Sequence, residues 1–247
     1  MDALIIAAGF GSRLREKSES KPLTPIAGVP LLELGARQAR AAGAQRLVVV
    51  TGYRADDIEA FLPGLAERTG MPCESVRVAD WSLPNGHSVM AGAAATDGNY
   101  LLMMADHIFS GPILRDLAGQ HGTDRGVTLA IDRRTDSPLI DPDDATWVQT
   151  GERGFIRAIG KTIPAYDAVD CGAFLATPEL AAAIGEAIVA GKAGSLSEGM
   201  QRLADAGRAA TMDIGDAWWL DVDDPRALEL AEAEAPGQLS EIYRTKP

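Results

Sequence analysis

The sequence predicts an α/β fold, doubly wound around a mixed, mostly parallel sheet, in a single domain spanning residues 1–247. Three observations carry that expectation. Short apolar runs alternate with helical periodicities through the first half of the chain. Runs such as LVVVT and LLMMA have no polar face, as strands covered by helices on both sides require. The 46% hydrophobic content over 247 residues can fill a core of that kind.

Taken in order, Leu4–Ala8, Arg46–Thr51, Ser75–Ala79 and Tyr100–Ala105 read as strands, and Leu31–Ala42, Ala55–Phe61, Gly86–Ala95 and Pro112–Gln120 as helices. After Gly126 the rhythm changes. Gly126–Asp132, Thr146–Thr150 and Phe155–Ile159, punctuated by Asp, Pro and Gly, read as an antiparallel meander that walls one side of a pocket. Asp170–Ala176 returns to strand, followed by helices at Pro178–Ala190 and Leu196–Ala206, a strand at Ala209–Ile214, a short apolar element at Trp218–Val222 and a helix from Pro225 to about Glu234. The acidic, proline-containing tail is expected to be loosely held.

With 35 Asp plus Glu against 23 Lys plus Arg, the formal net charge is −12, which disfavours nucleic acid and anionic membrane surfaces as partners. The two cysteines, Cys73 and Cys171, lack CxxC or Cys/His company, so neither a zinc site nor a disulfide framework is expected, and a reduced, cytoplasmic setting fits. The start of the chain has no charged n-region or long apolar h-region, and no run reaches membrane-spanning length.

Against that acidic background stands a local basic island. Strand Leu4–Ala8 runs into a loop with Gly9 and Gly11, then Arg13, Arg15, Lys17 and Lys21. Glycines there can take positive φ and bring backbone N–H groups close to a polyanion, so the segment reads as a phosphate loop for a small phosphorylated ligand. A dinucleotide fingerprint is disfavoured: Leu14 stands at the third glycine position, and the second strand ends in Thr51 and Gly52 rather than an acid.

AAGFGSRL, with KPL a few residues on, resembles the opening of the sugar-phosphate nucleotidyltransferase family, whose fold is a Rossmann-like α/β domain of the glycosyltransferase-A type. The resemblance implies that Ala8, Gly9, Gly11, Ser12 and Arg13 cradle a nucleoside triphosphate and that Lys21 contacts its phosphates. Arg13 and Lys21 are then expected to stabilise charge as a phosphorylated acceptor attacks the α-phosphorus and pyrophosphate departs, with Mg²⁺ as cofactor. Asp106 ends strand YLLMMAD at the carboxyl edge of the sheet, where open α/β folds bind ligands, and the resemblance makes it a metal ligand.

Its partners lie in WWLDVDDP. If Trp219–Asp223 is extended, Asp221 and Asp223 share a face, while Asp224 before Pro225 serves as a helix N-cap. Asp106, Asp221 and Asp223 are thus the expected Mg²⁺ ligands. LPNGHS resembles the NG-x-S form of cytidylyltransferases, which points Asn85, Gly86 and Ser88 at the base and ribose; by local rules alone Asn85-Gly86 is a turn. The Asp106-His107 pair resembles the inositol-1-phosphate enzymes, which makes His107 an acceptor-binding candidate; the family resemblance adds Lys161, at the place of a Lys that approaches the acceptor phosphate, and Asp170, which with Gly172 resembles the family's D-x-G motif.

The expected activity is transfer of CMP from CTP to a small phosphorylated polyol or amino alcohol, inositol 1-phosphate first, by a stand-alone transferase. Phosphocholine and 2-aminoethylphosphonate come next. With aromatic residues at only 5% and scattered, a cage for a choline head is not evident. A UTP- or dTTP-dependent hexose-1-phosphate enzyme and a non-catalytic nucleotide sensor are the other readings.

Overall fold

The computed structural model describes residues 1–14, 19–120, 122 and 124–244. Along β1 (Asp2–Ala7) successive side chains enter two different cores: Ala3, Ile5 and Ala7 join one cluster and Leu4 and Ile6 the other. This alternation with both faces apolar is what a central strand between two helix layers needs. A minimal hairpin follows, β2 (Pro25–Ile26) and β3 (Val29–Pro30), with Ala27 and Gly28 at φ 47° and 84° in its turn. Then come α1 (Leu31–Ala41), β4 (Arg46–Thr51), α2 (Ala55–Thr69), β5 (Cys73–Arg77), α3 (Asn85–Ala93), β6 (Tyr100–Met104), β7 (His107–Phe109) and α4 (Gly111–Ala118). The remainder comprises β8 (Val127–Asp132), β9 (Trp147–Thr150), β10 (Ile156–Gly160), β11 (Ala168–Ala176), α5 (Pro178–Val189), α6 (Leu196–Asp205), β12 (Ala209–Asp213), β13 (Trp219–Asp221), α7 (Pro225–Gln238) and α8 (Ser240–Arg244).

One nine-stranded sheet organises the molecule in the order β10-β9-β11-β6-β1-β4-β5, with β8 joining β11 to β12 off that path. Strands β6, β1, β4 and β5 are parallel, and β11 runs antiparallel to β6, β8 and β9. The sheet is therefore mixed and mostly parallel in its first half, as the alternation of elements predicts. A separate two-stranded ribbon pairs β13 with β7, setting Asp221 opposite His107.

Four expectations are corrected. The meander does not form as such: β9 and β10 make a hairpin, but β8 lies against β11 rather than β9, because the nine-residue β11 is long enough to pair with both. Helix α2 does not stop at Phe61 but continues through Pro63 to Gly70, whose left-handed backbone caps it; burial of Leu62 and Leu65 outweighs the hydrogen bond that the proline removes. Strand β7, unforeseen, pairs with a strand far along the chain. The acidic tail is docked, not loose: Ala235, Leu239 and Ile242 are buried, and the Tyr243 hydroxyl donates to the Ile26 carbonyl at 2.9 Å. Arg15 and Lys17 of the basic island lie outside the described residues. Among the described residues no helix is long and apolar enough to cross a membrane.

Candidate active site

The loop after β1 places its cations by close packing. Gly11 has φ +60°, and a Cβ there would lie 2.8 Å from Lys21 Cβ, so glycine is what lets Lys21 approach the loop. Gly9 differs from expectation: it does not take positive φ, and open space surrounds the position a Cβ would fill. Leu14 anchors the following helical turn in the core. That leaves Arg13 at the cleft, its guanidinium 2.6 Å from Asp144, 2.9 Å from Asp223 and 3.5 Å from Asp141. Lys21, 12% exposed, reaches Asp106 Oδ2 at 2.6 Å. Arg13 and Lys21, the described cations of the island, are thus woven into carboxylates rather than displayed as a positive patch.

Asp106 follows β6 at the carboxyl edge of the parallel strands, and the β7–β13 ribbon brings Asp221 to the same place. Between them stands the His107 ring, Nδ1 at 2.8 Å from Asp106 Oδ1 and 3.6 Å from Asp221 Oδ1. Burial alone would lower the His107 pKa, but Asp221, Asp106 and Asp170 raise it to about 9, so the ring carries a proton at neutral pH. Burial pushes Asp106 up, yet the Lys21 ammonium and the imidazolium hold its carboxyl well below the usual range. Burial and the neighbouring Asp106 and Asp223 charges lift Asp221 to about 7, against the pull of His107 and Lys21. Asp170, lifted by burial to about 6, accepts the Gly172 N–H at 2.7 Å.

Gly172 supports this cluster from below. It has φ +76° at the irregularity in β11, and a Cβ there would lie 2.4 Å from His107 Cδ2. The opposite support is Trp219, stacked on His107 at 5.9 Å and 16°, its indole N–H donating to Asp132 Oδ2 at 2.9 Å. Gly172→Ala is therefore expected to cost about 1–3 kcal/mol of stability, read as a lower thermal midpoint; an unchanged midpoint would mean that β11 relaxes without penalty.

Two adjoining cavities meet at these residues. One, of about 330 Å³, is lined by Ala8, Gly9, Gly11, Ser12, Arg13, Lys21, Asn85 and Ser88. The other, of about 400 Å³, is lined by His107, Lys161, Asp170, Asp221 and Trp219, with Ile140, Asp141 and Arg226 beyond. Asn85, Met104, Asp106, Asp144 and Asp223 border both. Gly86 is placed otherwise: it packs under α5 and α6, where a Cβ would lie 2.3 Å from the Gly194 carbonyl oxygen, and it borders neither cavity. Asn85 is partly spoken for as well, its Oδ1 accepting from Leu196 N–H at 2.9 Å. Lys161 is ion-paired to Asp144.

Sequence reasoning missed Asp144, which joins Arg13 to Lys161 and is held at about 2 as those two cations overcome the upward push of burial. Nothing in DPDDAT distinguishes it from the neighbouring acids. It also missed the cluster of Phe10, Tyr53 and Trp81 beside the glycine loop, since the three come from separate segments.

The residues fit a hard divalent cation. Ligand atoms of Asp106, His107 and Asp221 lie within 4.8 Å of one another, as do those of Asp144, Asp221 and Asp223. Asp221 belongs to both groups, and the expected set of Asp106, Asp221 and Asp223 is divided between them. Among the described residues, Asp221 Oδ1 and Asp223 Oδ2 are buried without a hydrogen-bond donor, although Arg13 stands close to the latter. Buried carboxylate oxygens left so are costly unless a cation completes them, and the all-oxygen group of Asp144, Asp221 and Asp223 suits Mg²⁺.

The comparisons with known proteins bear on family and fold. Residues 3–150 match the model of the MobA-like NTP transferase domain. The bifunctional IPC transferase and DIPP synthase of Rubrobacter xylanophilus is 34% identical over 231 residues, 93% of this chain and 51% of the relative; that of Thermococcus kodakarensis is 31% identical over 232 residues, 93% and 49%. The chain spans about half the length of these curated relatives. Among solved structures, the inositol-1-phosphate CTP transferase from T. maritima has a TM-score of 0.83 at 25% identity, over 100% of this chain and 97% of that one. UDP-glucose pyrophosphorylase in complex with UDP-glucose shares the fold, with a TM-score of 0.79 at 17% identity over 95% and 97%. Since the matched residues make up more than half of the chain and the relatives and fold are those of nucleotidyltransferases, the chain belongs to the MobA-like NTP transferase domain family and is a nucleotidyltransferase by family and by fold.

Proposed function

We propose that this chain transfers CMP from CTP to inositol 1-phosphate, with Mg²⁺ as cofactor, as one catalytic domain acting in the cytoplasm. The observation that carries the reading is the pair of cavities meeting at Asp106, Asp144 and Asp223, one bordered by the glycine loop and its cations, the other by Asp170, Lys161 and His107. Two anionic substrates can meet at that junction.

The acceptor phosphate is already ionised at neutral pH, so its oxygen attacks the α-phosphorus without a general base, and the bond to the pyrophosphate oxygen breaks. Arg13 and Lys21 lie where the polyphosphate would rest and neutralise charge that grows on the leaving group. Asp221, with Asp106 on one side or Asp144 and Asp223 on the other, would hold a divalent ion, which when bound would supply further neutralisation of phosphate charge. Loading the nucleotide would draw Arg13 from Asp144 and Asp223 and leave those carboxylates to a divalent ion. On the acceptor side, the Asp170 carboxyl, raised by burial only to about 6 and so mostly ionised at neutral pH, can accept hydrogen bonds from hydroxyls, which suits a polyol. The names of the Rubrobacter xylanophilus relative and the T. maritima structure support this choice of nucleotide and acceptor.

An amine-bearing acceptor is the second reading. The acceptor cavity is rich in carboxylates, and CMP-5'-(3-aminopropyl)phosphonate synthase of Streptomyces rubellomurinus is 34% identical over 119 residues. Pyrophosphate release measured with each of four NTPs against inositol 1-phosphate, phosphocholine, 2-aminoethylphosphonate and hexose 1-phosphates tests the assignment. CTP with inositol 1-phosphate is expected to turn over fastest. A preference for UTP or dTTP with a hexose 1-phosphate, or tight CTP binding without turnover on any acceptor, would overturn it.

A further inference from the structure

We propose that Trp81 is the nucleobase-binding wall of the nucleotide cavity, a stacking platform held in place by Phe10 and Tyr53. The proposal rests on the nucleotidyltransferase reading and extends it to a residue that no motif marks.

Sheet order separates the two ends of this cavity. Asp106 follows β6 on one side of β1, whereas Tyr53 follows β4 and Trp81 follows β5 on the other. Three strand spacings of about 4.8 Å lie between β6 and β5, roughly 14 Å in all, comparable to an extended nucleotide. The charged lining residues Arg13, Lys21 and Asp106 belong to the β6 side, and Trp81 and Leu83 to the β5 side. A ligand with its polyphosphate among the cations directs its base toward the indole.

Trp81 is built to stay there. Its ring stacks on Phe10 at 5.6 Å and 9°, and Tyr53 meets both rings edge-on at 4.7 and 5.4 Å. Its backbone is fixed from two sides. Asp80 accepts from the Ser82 N–H at 2.9 Å, and Gly52 lies so close that a Cβ there would be 2.7 Å from Trp81 Cβ. Yet Trp81 remains 41% exposed and Leu83 45%, among the few large apolar side chains of the described residues left open to solvent. A rigid indole that borders a cavity, with surface still uncovered, loses little entropy when a flat ring stacks on it. Because Phe10 sits within the glycine loop, the same stack ties the base wall to the phosphate-binding backbone.

Calorimetric titration of the intact protein with CTP and with inorganic tripolyphosphate, each with Mg²⁺, tests this. Trp81→Ala is expected to weaken CTP about 5- to 100-fold, the range for loss of one base–aromatic stack, while tripolyphosphate binding stays within about twofold. Trp81→Phe should recover most of the CTP affinity, which excludes general unfolding as the cause. Equal weakening of both ligands would assign Trp81 to loop architecture, and unchanged CTP affinity would remove it from the site; either result overturns the proposal. A wild-type protein that binds tripolyphosphate no less tightly than CTP would also overturn it. Failure of the wild type to bind CTP at all would instead bring down the nucleotidyltransferase reading, and this proposal with it.

Discussion

Lys21→Met is expected to lower kcat by about 10²- to 10³-fold, the usual cost of removing one preorganised donor from charge that develops in a transition state. Lys21 is 12% exposed, and its ammonium lies 2.6 Å from Asp106. Burial alone would lower its pKa, but Asp106 and Asp221 raise it, so the charge is present throughout the working pH range. In the substrate complex the same charge faces phosphate oxygens, and a hydrated ammonium cannot replace it once the cleft is filled. Lys21→Arg is a sharper control. The ammonium is enclosed with only 2.6 Å to Asp106, so a longer, planar guanidinium will not restore the rate. Steady-state kinetics with saturating CTP and acceptor decide the matter. A Met variant within about tenfold of wild type would mean that the phosphates lie elsewhere.

Asp221→Asn should separate activity from stability. Its carboxyl is shared by both acidic groups, has one buried oxygen without a donor among the described residues, and is pushed to about 7 by burial and the neighbouring acids. Burial and the neighbouring acids thus penalise the charged form of this side chain, a penalty an amide escapes. We expect turnover to fall by at least about 100-fold through lost divalent-ion binding, while the thermal midpoint of the ligand-free protein holds or rises, at about 2–4 °C per kcal/mol relieved. Full activity at the same Mg²⁺ concentration would remove Asp221 from the ion site. A large drop in midpoint would show that its charge is structural, held for His107 rather than for an ion.

Much of the architecture was legible. Apolar runs without a polar face located β1, β4 and β6, and Pro225 after Asp224 marked the start of α7, where Asp224 accepts the Ala227 N–H at 2.7 Å. Period two in Trp219–Asp223 placed Leu220 and Val222 in a core and turned Asp221 and Asp223 toward the cleft. Errors fell where distant packing overrides a local rule. Helix α2 was read only as far as Phe61, but burial of Leu62 and Leu65 carries it on through Pro63. An acidic tail read as loose because its spaced apolar residues, Leu239 and Ile242, are too few to show a period. Asn85-Gly86 read as a site pair, yet the glycine is needed where α3 crosses the segment before α6.

Residue order was sufficient for the α/β class, the strand–glycine–cation segment and the chemistry its side chains suit, because backbone conformation and burial follow from patterns a few residues long. Convergence was a different matter. Asp144 came between Arg13 and Lys161, Phe10 and Tyr53 came to Trp81, and Asp221 came to His107 only through the packing of elements far apart in the chain. Local pattern carries no record of such meetings, since the free energy that fixes them resides in strand pairing and core closure between segments that are not neighbours until the sheet is complete.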